Sequence, residues 1–253
     1  MACLICDRSG YTRQHSMSAP DRYELYQGIA AVKREWRRCR YCHFLYQTRN
    51  YPLARLEAIY LKGYRDKAFR GVTVRQAYNQ VYTLPKPQSE SWQRAQWFAA
   101  QFKGAQTVLD VGAGLGIFPT HLRDLGYDVA CTEQNAHSLR WIRHWLKFEC
   151  FEEIPARPFD VVSLVHVLEH VEKPDGFLKA LPARRLFIEV PDGSRINELA
   201  DDHDDLNSCH LWAFDFHTLE ILLNRNGYRV TAANRATYDP RSLYRLRMAA
   251  ECI

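Results

Sequence analysis

Short apolar runs and amphipathic stretches alternate along most of the chain. Continuous apolar runs bounded by turn residues are typical of buried strands, and apolar residues three and four positions apart are typical of helices. Strands are predicted over residues 107–111, 127–133, 159–167, 184–191, 228–234 and 241–251. Helices are predicted over residues 118–126, 136–146 and 215–227. The alternation predicts an α/β fold with a mostly parallel sheet covered on both faces.

A proline-containing linker separates this region from the first part of the chain. The segment LPKPQS, residues 84–89, disfavours both helix and sheet. Ser89 can cap a following helix, whose apolar face includes Trp92 and Phe98. We therefore predict an N-terminal module over residues 1–84 and an α/β domain over residues 85–253.

A glycine-rich turn, VLDVGAGLGIF, ends the first strand of the α/β region. Its G-x-G-x-G spacing differs from the P-loop, which ends in Gly-Lys-Ser/Thr, and from the dinucleotide fingerprint G-x-G-x-x-G. Asp110 would repel a pyrophosphate, whereas it suits a cationic ammonium or sulfonium. Glu133, at the end of the second strand, can accept hydrogen bonds from ribose hydroxyls. The expected ligand is a cationic nucleoside without a phosphate chain, and S-adenosylmethionine fits that description.

Four of the eight cysteines form two Cys-x-x-Cys pairs, Cys3/Cys6 and Cys39/Cys42. In a chain with no evident export signal, such pairs hold a metal more often than they form disulfides. Two pairs of this spacing supply a closed tetrahedral site, so we expect structural Zn²⁺. Reduced thiols or a redox pair are the alternative, although the first residues have too little apolar sequence to form a core without a metal.

Several segments resemble successive motifs of class I S-adenosylmethionine-dependent methyltransferases. They are the glycine turn, VACTEQN, FDVVSLVHVLEHVEKP and RLFIEVP. The stretches HVLEHVEKP, SESWQRAQWF and CHLWAFDFHTLEILLNRNGY also resemble a bacterial subfamily with an N-terminal Cys₄ region. The resemblance implies a Rossmann-like seven-stranded sheet with an antiparallel last strand, helices on both faces and a small zinc-binding module on the substrate side.

The resemblance also implies which residues contact the cofactor. The glycine turn would line the methionine half, Glu133 the ribose, and His166 the neighbourhood of the sulfonium, while Cys150 and Phe151 lie where the adenine is expected. The expected contacts are Asp110, Gly112, Gly114, Gly116, Phe118, Glu133, Gln134, Cys150, Phe151 and His166.

Methyl transfer to a hydroxyl or carbon also needs a base. His166, Glu169 and His170 in HVLEHVEKP are candidates; the spacing resembles half of a metal-binding helix motif, with no third ligand evident, and an architectural role is the alternative. His210 in CHLWAF is the preferred base, because it resembles a histidine of EHLSYF-like stretches in zinc-containing sugar C-methyltransferases. A loop histidine packed on Trp212 is the other interpretation.

The predicted function is O- or C-methylation of a sugar, glycan or other small-molecule acceptor. The alternatives are an RNA methyltransferase that holds RNA through the zinc module and the basic segment 33–40, and a non-catalytic binding protein with this scaffold. The fourth strand is not followed by an Asn/Asp-Pro-Pro-Tyr/Phe signature, so a nucleic-acid partner is less expected. The charge of +5 is mild, and with neither a secretory signal nor a membrane span evident, we expect a cytoplasmic protein.

Overall fold

Two β-sheets organise the structure, a computed structural model that describes residues 2–55, 67–237 and 244–253. The strands are β1 (Tyr11–Met17), β2 (Arg34–Cys39), β3 (Leu45–Arg49), β4 (Thr107–Val111), β5 (Asp128–Thr132), β6 (Glu149–Phe151), β7 (Val161–Val165), β8 (Arg185–Pro191), β9 (Trp212–Ala213), β10 (Tyr228–Thr237) and β11 (Tyr244–Cys252). The larger sheet has seven strands in the order β10-β11-β8-β7-β4-β5-β6. Strand β11 runs antiparallel to both of its neighbours, and the other pairs are parallel. The predicted sheet with an antiparallel last strand is confirmed.

Helices cover both faces of the larger sheet, as predicted. The α-helices of the described residues are α1 (Arg22–Tyr26), α2 (Lys67–Arg70), α3 (Val74–Tyr82), α4 (Glu90–Gln101), α5 (Ile117–Asp124), α6 (Ala136–Trp141), α7 (Pro174–Lys179) and α8 (Phe216–Arg225), and it is α3 to α8 that pack on this sheet. Adjacent residues of β4 point to opposite faces. Val108 packs in a buried cluster with residues of α3 to α6, whereas Leu109 packs with residues of α7 and α8. Each face therefore has its own hydrophobic core.

Two local predictions needed correction or fell partly outside the described residues, and one strand of the larger sheet was not predicted. The helix predicted over 136–146 ends at Trp141, and residues Ile142–Leu146 form a π-helical turn. Strand β6 was not predicted from the pattern, because its three residues are too few to show a period. The strand predicted over 241–251 is β11, and residues 241–243 lie outside the described part of the chain.

The smaller sheet joins the N-terminal region to the α/β region. Its order is β1-β2-β3-β9, so the fourth strand comes from the segment after β8. Leu45 and Tyr46 of β3 pair with β9. Cys3, Cys39 and Phe44 belong to the same buried cluster as the residues of α8. The N-terminal region therefore shares a sheet and a hydrophobic core with the rest of the molecule.

None of the helices in the described ranges combines the length and the apolar character needed to cross a lipid bilayer.

Candidate functional site

A cavity of about 820 Å³ opens at the carboxyl ends of β4, β5 and β7. This edge is where open α/β sheets bind ligands, and the volume is typical of a ligand pocket. The wall includes Glu90, Ser91, Arg94, Asp110, Gly112, Ala113, Gly114, Leu115, Ile117, Phe118, Thr132, Glu133, Gln134, Asn135, Glu152, Glu153, Ile154, Val165, His166, Val167, His170, Val171, Glu172, Phe177, Cys209 and Arg245. Most of the predicted cofactor and acid–base residues meet in this one cavity.

The glycine turn after β4 forms one wall of the cavity. Gly112, Gly114 and Gly116 have φ angles of 70°, 60° and 76°, in the left-handed region that glycine adopts without steric cost. A Cβ atom on Gly112 would lie 2.9 Å from Val167 Cγ2. Gly116 is the N-cap residue of α5. The turn thus exposes backbone to the cavity and starts a helix.

Asp110 lies at the floor of the turn and is 3% exposed. Ser163 of β7 donates a hydrogen bond to its carboxylate at 2.6 Å. Burial raises the pKa of Asp110 to about 7, although the Ser163 hydroxyl and the nearby Arg94 oppose that shift. A buried carboxylate of this kind favours binding of a cationic ligand, because the cation would compensate for the lost hydration.

Glu133 follows β5 on the opposite side of the turn. Its carboxylate accepts hydrogen bonds from the backbone N–H of Gly114 at 2.7 Å and of Asn135 at 2.8 Å. Thr132 accepts a hydrogen bond from the Gly112 N–H at 3.2 Å. These contacts hold the second carboxylate against the glycine turn, and ribose binding by Glu133 stays a prediction.

The wall beyond β6 is displaced by a few residues from the expected adenine neighbourhood. Cys150 and Phe151 lie within β6, whereas Glu152, Glu153 and Ile154 form the cavity wall. Residues just past the carboxyl end of a parallel strand lie at the edge of the sheet where ligands bind. With β6 correctly assigned, that rule would have identified Glu152, Glu153 and Ile154 from the sequence.

His166 directly follows β7 and has a left-handed φ of 55°. Its Nδ1 lies 3.2 Å from Glu169 Oε1, and its Nε2 lies 3.4 Å from Glu189 Oε1. Burial lowers the pKa of His166, but the hydrogen bonds to the two glutamates outweigh burial and raise it to about 9. At neutral pH the ring is therefore protonated and is a donor rather than a base.

Glu189 is the centre of a buried charge network that sequence reasoning missed. The carboxylate is fully buried in β8 and accepts from Arg94 Nε at 2.8 Å and from Arg247 Nε at 2.6 Å. Burial raises the pKa of Glu189, but Arg94 and His166 outweigh burial and hold it well below the ordinary range. A glutamate inside the apolar run RLFIEVP is the available sequence signal, since buried carboxylates need charged partners.

Glu169, His170 and His210 form a compact cluster beside the cavity. One ligand-type atom from each of the three lies within 4.8 Å of the other two. The rings of His170 and His210 are in contact, with centroids 4.8 Å apart. His170 lines the cavity, and His210 is buried against it. The sequence predicted all three as acid–base candidates without indicating that they meet.

The segment that carries His210 is held by the N-terminal region. Gln47 of β3 donates through its N–H to the Leu211 carbonyl at 2.9 Å. Asp21 accepts from the N–H of Ser208 at 2.6 Å. Two aspartates that precede His210 are paired, Asp204 with Arg22 and Asp205 with Arg245.

The four cysteines of the two Cys-x-x-Cys pairs meet at one point. Cys3 and Cys42 Sγ are 3.4 Å apart, Cys6 and Cys39 Sγ are 3.6 Å apart, and all four are free thiols. Tetrahedral Zn–S bonds of about 2.3 Å place sulfurs about 3.8 Å apart. After each pair, Asp7 and His43 turn with positive φ and donate to the carbonyls of Cys3 and Cys39. The donor set and spacing fit a tetrahedral metal ion.

Comparisons with known proteins agree with this geometry. A family model described as "Methyltransferase domain" matches residues 83–233. A comparison with curated proteins found no match.

Several solved structures share the fold. The structure of 1,6-didemethyltoxoflavin-N1-methyltransferase from Burkholderia thailandensis, with 1,6-didemethyltoxoflavin and S-adenosylhomocysteine bound, has a TM-score of 0.56 and 16% identity over 83% of this chain and 95% of its own. The glycopeptide N-methyltransferase MtfA with S-adenosylmethionine has a TM-score of 0.52 and 14% identity over 64% of this chain and 86% of its own. Magnesium protoporphyrin IX methyltransferase from Synechocystis PCC 6803, with S-adenosylmethionine bound, has a TM-score of 0.50 and 15% identity over 74% of this chain and 95% of its own. The chain belongs to the methyltransferase-domain family and is a class I S-adenosylmethionine-dependent methyltransferase.

Proposed function

We propose that the enzyme methylates an oxygen or a carbon of a sugar, a glycan or another small-molecule acceptor. The observation that carries this proposal is the charge of the cavity. Its wall contains six carboxyl groups (Glu90, Asp110, Glu133, Glu152, Glu153 and Glu172) against two guanidinium groups (Arg94 and Arg245) and the protonated ring of His166. Such a wall favours a neutral or cationic acceptor over a phosphate backbone. The structural neighbours support the fold alone, so the acceptor class rests on the cavity.

The donor half of the cavity is assigned to the residues of the glycine turn and the end of β5. S-adenosylmethionine, when bound, supplies a methyl group on a positively charged sulfur. Asp110 and the exposed backbone of Gly112 and Gly114 would hold its methionine half, and Glu133 its ribose. Phe118 and Gln134 line the same half.

The acceptor half is assigned to the side of His170. Burial lowers the pKa of His170 to about 4, although Glu169 opposes the shift, so the ring is neutral at physiological pH. His170 Nδ1 donates to the Cys209 carbonyl at 2.9 Å. A neutral, fixed imidazole in the wall can accept a hydrogen bond from an acceptor hydroxyl and orient it, which is most of what methyl transfer requires of the protein.

The basic segment offers little support for the RNA alternative. Arg34 is buried beside Glu24, and Arg37 is paired with Glu35 at 2.8 Å. Paired or buried guanidinium groups are poor phosphate ligands, because phosphate would have to displace the existing carboxylate. Tight RNA binding with a steep salt dependence would instead favour this alternative.

A structural zinc ion is proposed for Cys3, Cys6, Cys39 and Cys42. Four sulfurs fill a tetrahedral coordination sphere, so the ion would have no open position for catalysis. Its expected role is to fix the N-terminal region, which in turn holds the segment from Ser208 to Leu211.

Transfer of radiolabelled methyl groups tests the acceptor class. The enzyme is incubated with labelled S-adenosylmethionine and, separately, with neutral glycosides, aminoglycosides, glycopeptides and total RNA. We expect label in the small carbohydrate fractions and a product mass increased by one methylene. Label confined to RNA would refute the proposal. Binding of S-adenosylhomocysteine, measured by calorimetry, shows that each preparation is competent; a preparation that folds but does not bind it would favour the non-catalytic alternative.

A further inference from the structure

We propose that Glu169, His170 and His210 form a second metal site, which binds a divalent transition metal such as Zn²⁺ or Fe²⁺ and opens towards the acceptor half of the cavity. The site is distinct from the four cysteines and uses residues from two segments. Glu169 and His170 belong to a short 3₁₀ turn after β7, and His210 belongs to the segment before β9. The donor set, two imidazoles and one carboxylate, is one that transition metals prefer and that Mg²⁺ does not.

The strongest observation is an unpartnered carboxylate oxygen. Glu169 is 1% exposed, and its Oε2 has no hydrogen-bond partner among the residues that the structure describes, while Oε1 lies against His166 Nδ1. A buried carboxylate oxygen without a partner is costly, and an unseen ion or water is the usual explanation. Besides His166, both His170 and His210 have a ring nitrogen within 4.8 Å of an oxygen of this carboxylate.

Both histidines are held in the tautomer that suits metal coordination. His170 Nδ1 lies 2.9 Å from the Cys209 carbonyl oxygen, and His210 Nδ1 lies 2.8 Å from the Asp205 carbonyl oxygen. A carbonyl oxygen only accepts hydrogen bonds, so each Nδ1 carries a proton and Nε2 is the nitrogen left to coordinate a metal. Metal-binding histidines are commonly oriented in this way by a backbone carbonyl on the other nitrogen.

The two segments are also joined to each other by backbone contacts. The N–H of Leu211 donates to the Glu169 carbonyl at 2.8 Å, and Trp212 Nε1 donates to the Val171 carbonyl at 2.7 Å. These bonds bring the His210 side chain beside the 3₁₀ turn before any metal binds. Bonds of about 2.1 Å need ligand atoms about 3.4 Å apart, so small side-chain rotations complete the site.

A neighbouring cluster of ligand-type side chains is a poorer candidate for a metal site. Glu90, His166 and Glu189 also place ligand-type atoms within 4.8 Å of one another. Arg94 and Arg247 already neutralise Glu189, and Arg94 also pairs with Glu90 at 3.1 Å. Guanidinium groups in contact with both carboxylates would repel a metal ion, whereas Glu169 Oε2 has no such partner.

Three protein ligands leave an open position, as in catalytic zinc sites. His170 is the ligand that lines the cavity, so with the metal on Nε2 of His170 the acceptor hydroxyl would bind at the open position of the metal and not to His170 itself. This role rests on the proposed function, whereas metal binding itself does not. When bound, the metal would orient the acceptor oxygen beside the methyl donor.

Metal titration of the full-length protein tests the site. The Cys₄ site is first filled with one equivalent of Zn²⁺, and binding of further Zn²⁺, or of Mg²⁺ alone, is followed by calorimetry and by elemental analysis after dialysis. The variants are His170→Asn and His210→Asn. The Asn amide nitrogen can take the place of Nδ1 and keep the hydrogen bond to the carbonyl, but it provides no equivalent of Nε2. His137→Asn, at an exposed position outside the cavity, is the matched control.

We expect the wild type and His137→Asn to bind a second Zn²⁺ per chain and no Mg²⁺. Each site variant should bind that second ion at least about 100-fold more weakly. Loss of a residue that only hydrogen-bonds to a metal ligand would weaken binding by less than this. Unchanged S-adenosylhomocysteine affinity would show that the variants are folded. A wild type that saturates at one Zn²⁺, or a His210→Asn protein that retains the second ion, would overturn the proposal. The metal titration needs no acceptor, so its result does not depend on whether the methyl-transfer assay with glycosides succeeds.

Discussion

The buried carboxyl group of Asp110 couples ligand binding to pH at the scale of one residue. Burial raises its pKa to about 7, so the folded protein holds the proton more tightly than the unfolded chain. The sign follows from linkage: the stability of the unliganded enzyme falls as the pH rises from about 4 through about 7. A cationic ligand reverses this balance, because it favours the ionised form.

Asp110→Asn should therefore weaken S-adenosylmethionine binding by about 10- to 100-fold at pH 8, the equivalent of losing one charge-assisted contact of about 1.5–3 kcal/mol. The wild-type affinity should increase between pH 6 and pH 8 as the carboxyl group ionises, whereas the affinity of the variant should stay flat. Calorimetry at three pH values measures both. Asp128→Asn, an exposed change at the start of β5, serves as the control. Equal pH profiles for the wild type and Asp110→Asn would contradict the assignment.

Asp110, the glycines and Glu133 were predictable because their signal is local. Each lies in or directly after a predicted strand, and parallel strands bring their carboxyl ends to one edge. Ser163, Thr132 and the Arg94–Glu189 pair were not predictable in the same way. Arg94 and Glu189 are 95 positions apart, and only the packing of α4 on the sheet brings them together.

At the scale of elements, the segment between β8 and α8 brings His210 and Cys209 to the cavity beside His170. Strand β9 is only two residues long, yet it completes the smaller sheet. It was not predicted, because two residues show no periodicity and its partner β3 is distant in sequence. Hence the sequence predicted His170 and His210 as separate candidates and could not indicate their contact.

Gly193 is where β9 approaches the start of this segment most closely. A Cβ atom at this position would lie 2.7 Å from the backbone carbon of Ala213 in β9. Gly193→Ala should reduce the free energy of unfolding by about 1–3 kcal/mol, because backbone cannot move aside as a side chain can. Gly176→Ala has no atom within 4 Å of the new Cβ and should leave stability unchanged or slightly higher. Urea unfolding of both variants measures the difference, and equal effects would disprove the close-contact argument.

Asp21 links α1 to the same segment. It caps α1 through the N–H groups of Tyr23 and Glu24, and it also accepts from Ser208. Asp21→Ala should cost about 2–4 kcal/mol, since it removes a cap and leaves a buried N–H without a partner. Asp215→Ala removes a cap alone from α8 and should cost about 1 kcal/mol. Hydrogen exchange at Ser208 should accelerate only in the first variant; unchanged protection there would contradict the link.

At the scale of the whole molecule, the N-terminal region and the α/β region are packed as one unit. Arg225 of α8 donates to the Leu4 carbonyl at 2.7 Å, and Phe44 stacks on Trp212 with ring centroids 5.8 Å apart. The sequence predicted the cysteine site from spacing alone. The shared core was not predictable, because it depends on apolar residues that show no common period along the chain.

Loss of the cysteine site should therefore also destabilise residues outside the N-terminal region. Cys39→Ser should remove one equivalent of Zn²⁺ per chain, lower the melting temperature and accelerate hydrogen exchange at Leu211, whose carbonyl accepts from β3 and whose N–H donates to Glu169. Cys252→Ser, at an exposed cysteine, should change none of these. Elemental analysis, thermal unfolding and exchange mass spectrometry provide the readouts. If Cys39→Ser loses the ion but Leu211 keeps its protection, the N-terminal region does not position the segment that carries His210, and the coupling between the metal and the cavity is wrong.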